Sequence, residues 1–101
     1  MGIGNSEPTI GMGATIHIGT DCSACTIVEI SRRGKTIWIQ RDMAQRIDHN
    51  GQSESQEYIY AQDLEGRVYA VRLNKDNRWR VTGSRFPVTV GTRREYRDPH
   101  F

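Results

Sequence analysis

The 101-residue chain predicts an all-β fold, a small closed or strongly bent antiparallel sheet, and three observations carry that expectation. Short segments alternate apolar and polar residues with a period of two, glycine- and asparagine-containing turns separate them at close spacing, and no helix-length stretch carries the 3.6-residue repeat. A chain of this length supports one domain with one modest core. That domain is expected over residues 11–101. Ahead of it, MGIGNSEPTI mixes Gly, Asn, Ser and Pro without periodicity and reads as a flexible arm over residues 1–10.

GATIHIG is the first strand, with Ala14, Ile16 and Ile18 on one face and Thr15 and His17 on the other. CTIVEISRRGKTIWIQRD follows as a hairpin turned at Arg33, Gly34 and Lys35, because glycine accepts the positive φ of a tight turn. Its rows set Thr26, Val28 and Ile30 against Ile27 and Glu29, and Ile37 and Ile39 against Trp38 and Gln40. Ile27 and Trp38 therefore fall opposite the main apolar rows and are expected to form a second cluster, covered by the chain's own tail or by another subunit. DMAQRI supplies one helical turn at most. QEYIYAQ and RVYAVRL are the next strands, joined by DLEG; NKDNR turns into WRVTG; PVTV is the last strand before the tail GTRREYRDPHF. Tyr58, Tyr60, Tyr69 and Trp79 concentrate aromatic area here, as cross-strand core pairs or, alternatively, as a base-stacking platform. Closing such strands on themselves removes the edges that invite aggregation. The expected architecture is an SH3-like barrel.

The formal charge of +2 and the pI near 8.7 permit an anionic partner without demanding one. Placement says more: Asp42, Asp48, Glu54, Glu57, Asp63 and Glu65 face only Arg46, whereas Arg78, Arg80, Arg85, Arg93, Arg94 and Arg97 follow with only Glu95 and Asp98 beside them. No run has the apolar length of a membrane span, and the first residues lack the order of a secretory signal, so a soluble cytoplasmic protein is expected. Cys22 and Cys25 form a single CSAC with no second ligand pair, and Cys25 runs into the β-branched TIVEI rather than opening a helix. Two reduced cysteines, one of them buried, are expected rather than a zinc or redox site.

The passage RIDHNGQSESQEYIY holds the richest set of short polar side chains. Asp48, His49 and Ser53 have the ingredients of a nucleophilic triad, but neighbouring side chains diverge in most backbone conformations and no nucleophile elbow lies near either serine. A metal held by Asp42, Asp48, His49 and Glu54 needs the loop to fold back, and DHNGQSESQE lacks the donor spacing of a calcium loop. Asn50-Gly51 is a strong turn signal, and Asp48 can accept backbone N–H groups within that turn. The loop nonetheless carries more polar groups than a turn requires. Asp48, His49, Asn50, Ser53 and Glu54 are therefore candidates for one wall of a binding surface, with Trp38, Arg78, Arg80, Arg93, Arg94 and Arg97 contributing elsewhere. No catalytic residue, metal ligand or cofactor is assigned.

GMGATIHIGTD followed by ACTIVEISRRGKTIWIQRD resembles the opening of KOW, Tudor and related SH3-like modules, in which a first strand leads into a long bent hairpin. From Gly11 onward the chain also resembles a group of small bacteriophage proteins, on GMGAT, TIVEIS with GKTIWIQRD, RIDHNGQSESQEYIY, the NRW near Trp79, and GTRREYRDPHF. That group has Met where Gln52 stands, and CSAC is not among its features. The resemblance implies a non-essential phage accessory protein, of a kind that often modifies host processes or opposes host defence in the cytoplasm of the infected bacterial host; with no acid, base and nucleophile set at persuasive spacing, a non-catalytic binding module is expected. Its partners would be nucleic acid or a host protein that handles it. The alternatives are a homo-oligomeric counter-defence protein that sequesters a small nucleotide, and a small hydrolase or metalloenzyme.

Overall fold

The computed structural model describes residues 7–47 and 57–97. The strands are β1 (Gly13–Ile18), β2 (Asp21–Ile30), β3 (Thr36–Arg41), β4 (Met43–Arg46), β5 (Tyr58–Ala61), β6 (Val68–Leu73), β7 (Trp79–Val81) and β8 (Pro87–Val90). Six of them close an antiparallel barrel in the order β1-β2-β3-β6-β7-β8, while β4 and β5 pair as a separate two-stranded sheet. The fold is all-β, as expected, and fits a small SH3-like barrel.

The interior is filled by Ala14 and Ile16 of β1, Cys25 and Ile27 of β2, Ile37 and Ile39 of β3, Val71 of β6, Trp79 and Val81 of β7, and Val88 and Val90 of β8. Every strand of the barrel thus contributes one of its two faces, which is the consequence of the two-residue repeat. The hairpin turn is where the sequence put it, with Gly34 at φ 72°.

Three expectations are corrected. Ile27 belongs to the main core rather than to a second cluster with Trp38. The cause is a β-bulge between Ile27 and Glu29: Val28 is inserted into the ladder, so Ile27 pairs with Ile39, Glu29 with Trp38 and Ile30 with Ile37. The extra residue inverts the alternation beyond it, so Ile27 and Ile30 share the inner side and Glu29 turns out. DMAQRI forms the strand β4 instead of a helical turn, because Met43, Ala44, Gln45 and Arg46 find partners in Ala61, Tyr60, Ile59 and Tyr58. Both cysteines, not one, are buried, and both are free thiols. Strands β5 and β6, although joined by DLEG, are not partners: β6 pairs with β3, with Ile39 opposite Tyr69 and Trp38 opposite Ala70.

Candidate functional site

The loop candidates Asp48, His49, Asn50, Ser53 and Glu54 lie outside the described residues. The others fall in two places.

Arg93, Arg94 and Arg97 belong to the tail after β8, which crosses the outer face of β1 and β2. Thr15 Oγ1 donates to Thr92 O at 2.8 Å, and Cys22 exchanges two backbone hydrogen bonds with Tyr96, each 2.9 Å. Two buried carboxylates, Asp42 beneath the tail and Glu95 within it, hold it there. Asp42, whose side chain is 1% exposed, accepts from Arg93 Nε at 2.9 Å and from Thr26 Oγ1 at 2.6 Å. Glu95, 5% exposed, accepts from Arg41 at 3.1 Å, from Arg97 at 2.8 Å and from the Ala24 N–H at 3.1 Å. The Glu95 N–H in turn donates to Tyr60 Oη at 3.1 Å, which ties the β4–β5 sheet to the same strap. Glycine at 13 is required by this arrangement, since a Cβ there would stand 2.6 Å from Arg93 Cγ. Arg93 and Arg97, though themselves exposed, are thus engaged by buried carboxylates of the protein, and Arg94 lies over the Tyr96 ring at 5.7 Å.

Beneath the strap, His17 Nε2 meets Thr89 Oγ1 at 2.8 Å and its Nδ1 meets Cys22 Sγ at 3.5 Å. A nucleophile needs the opposite electrostatics from those found here. Burial pushes the Cys22 thiol up, against a downward pull from Arg94, and burial together with Arg94 pushes His17 down. Cys25 is pushed up to about 12, first by burial and then by Asp42. Both thiols are therefore protonated at pH 8. The native protein is expected to release almost no chromophore from a disulfide reagent and to react at both cysteines once denatured. Because the Cys25 value is raised on folding, its contribution to stability is intact below the ordinary thiol value of 9.0 and is lost as pH rises toward about 12. The melting temperature should accordingly fall on the alkaline side of pH 9.

Arg78 and Arg80 belong to the second place, the end of the barrel formed by the β2–β3 turn and the β6–β7 turn. These turns meet because β3 pairs with β6 so that Thr36 faces Arg72, and the Leu73 N–H donates to Lys35 O at 2.9 Å. Residues 31–37 and 71–86 together bring Arg32, Arg33, Lys35, Arg72, Lys75, Arg78, Arg80 and Arg85, against the single acid Asp76. The acidic residues Asp63 and Glu65 sit at the opposite end, beside Arg41, whose N–H donates to Arg67 O. That end carries both signs, with Arg67 beside the two acids, whereas the first keeps a positive excess even with Glu7 lining its cavity.

Within the cationic end, Arg72 and Arg80 stand directly opposite each other across β6 and β7. Like charges in that relation destabilise a sheet. Asp76 relieves part of this by pairing with Arg80 at 3.0 Å, an interaction that holds its carboxyl below the usual range. Arg72 has no ion pair among the described residues. Both arginines open on a groove of ≈ 200 Å³ that Asn74, Thr82, Gly83 and Arg85 complete. Arg85 lines it from a left-handed backbone, φ 65°, in the β7–β8 connection, where its N–H donates to Val81 O at 2.8 Å. A long side chain in a conformation that favours glycine is a local cost, and such costs gather at functional sites. Trp38 is on the same outer face of the sheet, half-buried between Glu29 and Ala70.

Sequence reasoning found Trp38, Arg78 and Arg80 but missed Arg72, and it counted Arg85 only as charge. The signal for Arg72 was its position in β6 outward of Val71; its meeting with Arg80 required the register. Among the described residues no cluster of three or more His, Cys, Asp or Glu has the geometry to hold a metal ion, and no helix is long and apolar enough to cross a membrane. Set against models of protein families, characterised proteins and solved structures, the chain finds no significant match in any of the three.

Proposed function

We propose that this chain is a non-catalytic binding module that engages nucleic acid through the cationic end of its barrel. The observation that carries the reading is the facing pair Arg72 and Arg80 with Arg85 around one groove, three guanidinium groups served by one carboxylate. Guanidinium forks suit phosphate, and an anion in the groove relieves the repulsion that the empty sheet bears. The setting implied by the resemblance belongs to the same proposal: an accessory protein of a bacteriophage acting on a host process or defence in the host cytoplasm.

The test is a titration of labelled oligonucleotide between about 50 and 200 mM salt. Affinity is expected to fall steeply across that range. Arg85→Gly is expected to weaken binding and to lower the salt slope by about one, while holding or raising the melting temperature, since glycine suits the left-handed backbone. Asp76→Asn is expected to tighten binding: the amide oxygen still accepts the Arg78 N–H, but the charge that competes with phosphate for Arg80 is gone. Binding indifferent to salt, and unaltered in both variants, would remove phosphate contact as the driving force.

A second reading, a homo-oligomer that encloses a small nucleotide, has one observation in its favour. Met43, Ile47 and Ile59 are 60%, 47% and 53% exposed on the β4–β5 sheet and the residue that follows β4. A mass from light scattering above that of one chain would favour it; a monomer would set it aside.

A further inference from the structure

We infer that the nucleic acid taken by this surface is single-stranded, with one base laid on Trp38 and the adjoining phosphate held by Arg72, Arg80 and Arg85. This rests on the reading above that the cationic end meets phosphate, and it adds an independent feature, the placement of Trp38.

Ile37 and Ile39, the neighbours of Trp38 in β3, are fully buried, so the indole stands on the strand's other side and takes no part in filling the barrel. No ring contact, cation contact or hydrogen bond engages it among the described residues, although a tryptophan N–H that is structural is usually given a partner. Its partner in β6 is the small residue Ala70, and the indole is half-buried. Two positions along β6 comes Arg72, the diagonal neighbour at about 7–8 Å. Arg80 follows directly across from Arg72, and Arg85 closes the groove. The face therefore presents an aromatic plane and then a run of guanidinium groups, in the order in which a nucleotide presents base and phosphate. Glu29, opposite Trp38 on β2, repels a phosphate on that side and directs the backbone toward β6.

Single strands offer every base's π-face to such a platform, whereas a duplex keeps its bases stacked inside and reaches Trp38 only by unstacking one. A bare polyanion uses the arginines and has nothing to lay on the ring.

The experiment compares oligothymidylate, a duplex of equal length and inorganic polyphosphate on the intact protein. Oligothymidylate is expected to bind more tightly than the duplex and to quench tryptophan emission, while polyphosphate binds without quenching; Trp79, in the core, supplies a constant background. Trp38→Ala is expected to weaken oligothymidylate binding by about 5- to 150-fold and to leave polyphosphate affinity unchanged. Trp38→Phe should retain most of the affinity, and the wild-type quenching decides the matter if the alanine variant does not fold. Equal or tighter binding of the duplex, or oligothymidylate binding without quenching and unchanged in Trp38→Ala, overturns the single-strand inference and leaves the phosphate reading standing. Absence of salt-dependent binding to all three probes overturns both.

Discussion

Replacing Arg93 with alanine is expected to destabilise the fold by about 3 kcal/mol or more. Asp42 is the reason. Its side chain is 1% exposed, and with Arg93 gone its Oδ2 loses the guanidinium that answers its charge, leaving the Thr26 hydroxyl on the other oxygen. Removing one member of a buried pair is costly because the remaining charge can neither reach water nor find a new partner. The reverse change, Asp42→Ala, should cost less, since the Arg93 side chain is 34% exposed and can turn its charge outward. Arg93→Lys should fall between, keeping the charge but losing the fork that also reaches Thr26 Oγ1 and Gly11 O. Thermal melting checks all three, with about 4–8 °C expected per kcal/mol in a domain of this size. A melting temperature for Arg93→Ala within a few degrees of wild type would show that the ion pair is not what fastens the tail.

Glu95→Ala should come next in size, about 2–4 kcal/mol, because three donors lose one acceptor. The Ala24 N–H and the Arg41 and Arg97 guanidinium groups all meet this carboxylate, and Arg41 Nη1 already has no partner among the described residues. The loss should also have a local signature. Tyr96, adjacent to Glu95, is the residue whose backbone pairs with Cys22, so a loosened strap exposes that thiol while Cys25, inside the barrel, stays covered. Thiol-reagent kinetics on the folded variant should accordingly show one reactive cysteine. Reaction of both, or of neither, would mean that the carboxylate does not act through the strap.

These two variants separate what the arginine-rich tail does from what the cationic end does. Arg93→Ala and Glu95→Ala act on stability, through a face that is already occupied. Arg85→Gly and Trp38→Ala are expected to act on binding, through a face where Arg72 and Arg85 are exposed and Trp38 is half-buried. In the linear sequence, Arg78, Arg80, Arg93, Arg94 and Arg97 form one undivided basic stretch. The chain folds Arg93 and Arg97 onto Asp42 and Glu95 and leaves Arg80 beside Arg72, thereby dividing the stretch in two.

The all-β class, the turn at Gly34, the last strand PVTV and the closure into a small barrel were determined by the sequence alone, since alternation and turn chemistry are local properties that need only neighbouring residues. What the tertiary structure decided was every relation that depends on register. The bulge at Val28 sets Ile30 on the same inner side as Ile27 and turns Glu29 out, because one inserted residue reverses the faces of all that follow. The pairing of β4 with β5 makes a strand of DMAQRI, whose short polar pattern carries no periodicity strong enough to announce one. The pairing of β3 with β6 brings the RRGK turn beside Arg72 and Arg80, residues about forty positions apart in the chain. Buried carboxylates choose their partners by geometry across such distances, and composition does not reveal which arginine will be claimed and which left to meet a ligand.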